Sequence, residues 1–211
     1  MKSNGSPSAM LEGDGLAAVR GRAQLFANVG FRVDACQTLF VTGPNGSGKT
    51  TLLRMLAGLS TPTVGIIRWM GNTVAPFDAR LREDVAFAGH LPALKDELSA
   101  IENLVVLAAL GGEKVTTEQA LLALDRVALS RQRTLPARVL SQGQRRRIGL
   151  ARLALVNKPL WILDEPTTAL DSDGVALLTT LLCQHLDANG CAVVATHQPL
   201  SVPRFANLAL A

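Results

Sequence analysis

Lys49 and Thr50 close the run GPNGSGKT (Gly43–Thr50), a complete G-x-x-x-x-G-K-[ST] phosphate loop. Its glycines, Gly43, Gly46 and Gly48, let the backbone curl so that successive N–H groups face phosphate oxygens, and the helix that follows adds its positive end. In such a loop the lysine reaches the β- and γ-phosphates and the threonine offers its hydroxyl to Mg2+. Pro44, Asn45, Ser47 and the next residue, Thr51, complete the stretch expected to line the nucleotide. Further on, LWILDE (Leu160–Glu165) is an apolar run ending in two acids. Asp164 therefore sits at the carboxyl end of a buried strand, where ligands meet an open parallel sheet, and can hold the Mg2+ shell. Glu165 points elsewhere and can polarise a water that attacks the γ-phosphate. Between the two lies LSQGQRRRIGLARL (Leu140–Leu153), helical by its spacing. Ser141 as N-cap with Gln144 three residues on fits a capping box, and Gly143 permits close approach to first-turn amides. Alone, that run reads as an ordinary capped basic helix.

The elements that must position these residues follow from hydrophobic patterning. Strand-like runs occupy Leu16–Val19 and Leu25–Phe31, and Gln37–Thr42 is a buried strand feeding the phosphate loop. A helix then runs to about Gly58, and strand character returns at Ile66–Trp69 and Val85–Ala88. From Leu91 to Val156 the pattern is helical, with capping boxes at Ser99–Glu102, Thr116–Gln119 and Ser141–Gln144. Leu160–Leu163 and Cys191–Thr196 are strands again, with a helix over Gly174–Leu186 between them. Strands alternating with helices predict an α/β fold with a mainly parallel sheet. The organisation expected is a tail over 1–14, a single domain over 15–211, a sheet core from 15–90 and 157–211, and an inserted helical lobe over 91–156. MKSNGSPSA has no apolar core of the kind a secretory signal carries, and translation from Met10 is one reading of it.

Composition narrows the classes. The chain has 211 residues and a net charge of +4, with basic clusters at Arg131–Arg133 and Arg145–Arg147. Tyr is absent and aromatics make up 4%, so a base-stacking surface for nucleic acid is not expected. The bland reading of the basic residues is solvated helix faces plus phosphate binding. Cys36, Cys183 and Cys191 form no CxxC pair and read as buried thiols, and His185 as a helix-surface residue.

Phosphate loop, LSQGQ run and LWILDE, in this order, resemble the ATP-binding cassette of transport machines. The short helical lobe, Gly89-His90, LKDELSAIENL, PLWILDEPTTALD and His197-Gln198 are similar to the branch of that family serving haem export in bacterial cytochrome c maturation. The resemblance implies a P-loop, RecA-like α/β core that uses ATP and Mg2+. It implies catalytic roles for Lys49, Glu165 and His197, with Thr50 and Asp164 at the metal. Ser141, Gln142, Gly143 and Gln144 would contact ATP held by a second cassette, and Asp171 would lie in the loop between cassettes. Expected partners are membrane-embedded subunits and a second copy, not nucleic acid, with haem carried by the partners. The expected location is peripheral, on the cytoplasmic side of the inner membrane. Three positions depart from the family: Gln142 where glycine is usual, His90 where the inter-lobe loop carries glutamine, and Arg20 where an aromatic ring stacks on adenine. Alternatives are a cassette for another substrate, a nucleic-acid-associated ATPase with its paired cassettes or long coiled coil, a small P-loop kinase, or a non-hydrolysing cassette.

Overall fold

The computed structural model describes residues 10–198 and 200–211. Residues 1–9, which hold most of the expected tail and the Met10 start question's upstream segment, lie outside the described residues.

The described chain forms two compact units. One comprises the residues up to 87 together with 158–164 and 182–211. The other comprises 88–157 and 165–181. The first unit holds two sheets. β1 (Leu11–Arg20), β2 (Ala23–Val33), β4 (Val64–Trp69) and β5 (Asn72–Thr73) make an antiparallel sheet in the order β2-β1-β4-β5. β6 (Val85–Ala88), β7 (Leu160–Asp164), β8 (Cys191–Ala195), β3 (Thr38–Thr42) and β9 (Phe205–Ala209) make the second, in that order. β3 pairs in parallel with β8 and β9, and β7 in parallel with β8. Every residue of β7 and β8 is buried, which is why both read as unbroken apolar runs rather than alternating ones. α1 (Lys49–Leu56) sends Leu52, Leu53 and Leu56 into one core with Leu11, Leu16 and Phe26 of the antiparallel sheet and Val41, Ile162 and Val193 of the parallel one. Burying each such side chain contributes about 1.5–3 kcal/mol, so this core fixes where β3 and β7 end.

β1 begins at Leu11, so Leu11–Asp14, assigned to the tail from sequence, are strand. Pairing on both sides overrides the poor strand propensity of Glu12, Gly13 and Asp14. Their register also sets Glu12 near Arg32 at 3.6 Å and Asp14 near Arg68 at 3.9 Å. β1 and β2 join through a two-residue turn whose first position, Gly21, has φ 64.

In the second unit, α3 (Ala100–Leu110), α4 (Thr117–Arg126) and α5 (Gln142–Leu155) pack together. All three predicted capping boxes are present, from Ser99 to Glu102, Thr116 to Gln119 and Ser141 to Gln144. α6 (Ser172–Asp187) starts two residues earlier than its pattern indicates. α2 (Ala79–Asp84) and β9 are absent from the sequence reading. α2 buries only Leu81, and β9 is an edge strand with alternating partial exposure and no β-branched residue. No helix among the described residues is long and apolar enough to cross a membrane.

Candidate active site

β3 ends at Thr42, and the chain turns at Gly43 (φ 143) into the phosphate loop. A Cβ at Gly43 would lie 2.4 Å from the Leu210 carbonyl oxygen, so glycine is required by space as well as by conformation. Gly48 (φ 96) is the N-cap of α1, and a Cβ there would meet the Phe26 ring at 2.8 Å. Phe26 is core, packed under the loop, while Arg20 is exposed at the end of β1.

Lys49, 8% exposed, folds over the loop and donates to the carbonyls of Gly43 at 2.7 Å and Pro44 at 3.1 Å. Thr50 Oγ1 donates to Asp164 Oδ2 at 2.8 Å. That bond joins the head of α1 to the end of β7, across 114 residues of chain. Asp164 is 2% exposed, so its carboxylate is committed to the interior. Ser47 Oγ is buried without a protein partner. A buried hydroxyl in a loop of inward-facing backbone fits a phosphate oxygen as its missing partner. Pro44, Asn45 and Gly46 are exposed along the loop's rim, and Thr51 is half-buried in α1. His197 is exposed just past β8. It sits in a small turn in which the Thr196 hydroxyl donates to the Gln198 carbonyl at 3.2 Å and accepts the Gln198 N–H at 3.1 Å.

The second unit holds the other predicted residues. Ser141 Oγ accepts the Gln144 N–H at 3.2 Å, and Gln144 Oε1 accepts the Ser141 N–H at 2.9 Å. Gln142 is exposed in the first turn of α5. Gly143 has a structural reason of its own, since a Cβ there would lie 2.9 Å from the Ala169 carbonyl oxygen. Asp171 Oδ1 accepts from Arg147 Nη2 at 2.7 Å and from the Gly174 N–H at 2.9 Å. The Arg147 hydrogen bond, followed by that of Gly174, holds its carboxyl below the usual range. Glu165 is half-buried at φ 49, and His90 is exposed.

Two expectations are corrected. Arg145–Arg147 is not a solvated face. Three successive helical residues span about 200° of arc, and here all are engaged. Arg145 bonds Asp96 at 2.6 Å, Arg147 bonds Asp171, and Arg146 is 7% exposed. Arg146 donates to the carbonyls of Gly89 at 3.0 Å, His90 at 2.9 Å and Pro166 at 3.3 Å, and also to that of Glu165. His185 is not a surface residue. It stacks on Trp161, centroids 4.1 Å apart at 8°, and its Nε2 meets the Cys191 carbonyl at 3.0 Å. Burial depresses its pKa. Of the cysteines only Cys191 is fully buried, and burial pushes its thiol up to about 12; Cys36 and Cys183 are half-buried.

The ABC transporter family profile matches residues 26–168. A cytochrome c biogenesis ATP-binding export protein CcmA from Nitrosomonas europaea is 46% identical over 200 residues, covering 95% of this chain and 94% of that protein. The protein of the same name from Pseudomonas aeruginosa is 47% identical over 193 residues, covering 92% and 95%. Among solved structures, a putative ABC transporter ATP-binding protein from Pyrococcus furiosus matches with a TM-score of 0.81 at 26% identity, over 94% of this chain and 96% of that one. A dimeric ATP-binding cassette in a post-hydrolysis state, bound to ADP and Pi, matches with a TM-score of 0.79 at 25% identity, over 90% and 88%.

Proposed function

The chain belongs to the ABC transporter family of ATP-binding cassettes, and on that premise we propose that it is the ATP-hydrolysing subunit of the haem-export complex of cytochrome c maturation. The observation that carries the ATPase reading is the Thr50–Asp164 hydrogen bond, which brings the phosphate loop and the strand-end acid to one point. The cytochrome c branch rests on the similarity to the CcmA proteins along more than nine-tenths of the chain.

The phosphate loop, Gly43–Thr51, holds the triphosphate through its amides. Lys49 exchanges its two carbonyl acceptors for phosphate oxygens, a trade of neutral partners for charged ones. Thr50 Oγ1 and the Asp164 carboxylate are the oxygen donors Mg2+ takes beside substrate phosphates, and the ion would offset negative charge at the scissile bond. Glu165 takes the proton of the attacking water. His197, projected by its turn at the end of β8, donates to the γ-phosphate. Ser141, Gln142, Gly143 and Gln144 present the head of α5 to ATP held by a second copy, with Asp171, fixed by Arg147, beside that contact. His90 stands in the inter-lobe loop and offers one acceptor nitrogen when neutral. Membrane-embedded subunits dock near residues 90–97 and carry the haem. The chain itself is peripheral, on the cytoplasmic face of the inner membrane.

The test is haem staining of c-type cytochromes in a strain deleted for this gene. Wild type is expected to restore covalent haem and Lys49→Ala to fail. Normal cytochromes in the deletion strain, with no second copy of the gene, would leave an ABC ATPase for another cargo.

A further inference from the structure

Arg146 is a cation almost sealed from water, and four main-chain carbonyls accept its hydrogen bonds. They come from two loops: Gly89 and His90 in one, Glu165 and Pro166 in the other. A buried charge is tolerated only when its donors are satisfied, so these carbonyls must stay turned toward the guanidinium. Guanidinium offers five N–H donors in a rigid plane, whereas a lysine offers three from one point. Only the planar group serves four dispersed acceptors at once.

Glu165 adds a second observation. Its φ of 49 lies in the left-handed region, which a non-glycine residue adopts only when its surroundings hold it there. Its carbonyl is one of the Arg146 acceptors. The same arginine lies five residues beyond Ser141, in the helix whose first turn carries the signature.

We infer that Arg146 is a positioning residue: it holds Glu165 in its left-handed conformation, and so aims the carboxylate, while tying the His90 loop to the same helix. The inference rests on the reading of Glu165 as the base. It adds a mechanical link that the sequence motifs do not contain. The base, the inter-lobe loop and the signature helix are joined through one side chain, so displacing any of them is felt by the other two.

The test uses the chain purified with the membrane subunits that accompany it, as wild type, Arg146→Gln, Arg146→Lys and Glu165→Gln. Steady-state turnover, ATP equilibrium binding and amide hydrogen exchange are measured on each. Both Arg146 variants are expected to lose kcat by roughly 10- to 100-fold, the scale of a small misplacement of a reacting group. ATP affinity is expected to stay within about twofold, because loop binding does not call on Arg146. Exchange should rise together at residues 89–95 and 165–170 while α3 and α4 stay protected. Unchanged kcat in either variant, or only one loop loosening, overturns the link. Global loss of protection in both variants also overturns it, since Arg146 would then serve the fold alone. Turnover that survives Glu165→Gln sinks the base assignment instead, and the exchange pattern of the two loops still reports on the link itself.

Discussion

Thr50, beside its proposed part at the nucleotide, also serves the fold. Its hydroxyl is a partner of a carboxylate that is 2% exposed. Thr50→Val keeps the shape and removes the donor. A hydrogen bond to a buried charged group contributes about 1.5–3 kcal/mol, so Thr50→Val is expected to lower unfolding free energy by that amount in urea titrations without nucleotide. Thr50→Ser should stay near wild type. An unchanged midpoint in Thr50→Val would show that Asp164 does not depend on this bond. The residues at this point were legible in the sequence because a phosphate loop is contiguous and its spacing is strict. Asp164 was legible because four apolar residues and a turn fix it at a strand end. Arg146 was not, since its acceptors are backbone carbonyls, which no pattern of residue types announces. His185 left a faint trace: Gly190, where a Cβ would lie 2.1 Å from the imidazole Cε1, follows directly on the DAN turn.

At the scale of elements, α5 depends on a cap that is also a proposed ligand contact. Ser141 Oγ is tied into the capping box with Gln144. Alanine there would confuse the two roles, because loss of a cap alone costs about 0.5–2 kcal/mol. Asp is an equally good N-cap but carries a negative charge toward any phosphate. Ser141→Asp is therefore expected to unfold within about 0.5 kcal/mol of wild type and to lose ATP turnover. Retained turnover would separate the signature from catalysis. The capping boxes were readable because they are local, four residues end to end. β9 and α2 were not, because an edge strand and a two-turn helix owe their shape to neighbours far along the chain: β9 to β3, and α2 partly to the Trp69 indole N–H donating to Asp84 at 2.7 Å.

At the scale of the whole molecule, the stack of Trp161 and His185 ties β7, β8 and the last turns of α6, all in the first unit, through one imidazole. Burial lowers the pKa of that imidazole below 6.5. The unfolded chain then takes up the proton first as pH falls. The stabilising contribution is present above about pH 6.5 and is lost as pH drops through the lower, folded value. His185→Phe keeps a ring on Trp161 and cannot titrate. It should be less stable than wild type near neutrality yet lose less stability on acidification to about pH 5, read from denaturation midpoints. Parallel pH profiles for the two proteins would remove His185 from the acid response. The α/β class and the inserted helices were legible at this scale from the alternation of strand and helix patterns. The antiparallel partnership of β1 was only partly so, because its acids and glycines gain strand geometry from pairing on both sides.

The carbonyl partners of Arg146 have a consequence for how this protein can change through descent. Hydrogen bonds to main chain place no demand of their own on the identities of residues 89, 90, 165 and 166, since every amino acid brings the same carbonyl. Relatives can exchange side chains at those places under catalytic selection alone, with no compensating change at position 146. These four bonds from α5 to the two loops would therefore leave no signature of paired substitutions, and a map of residue contacts inferred from correlated change would pass over them.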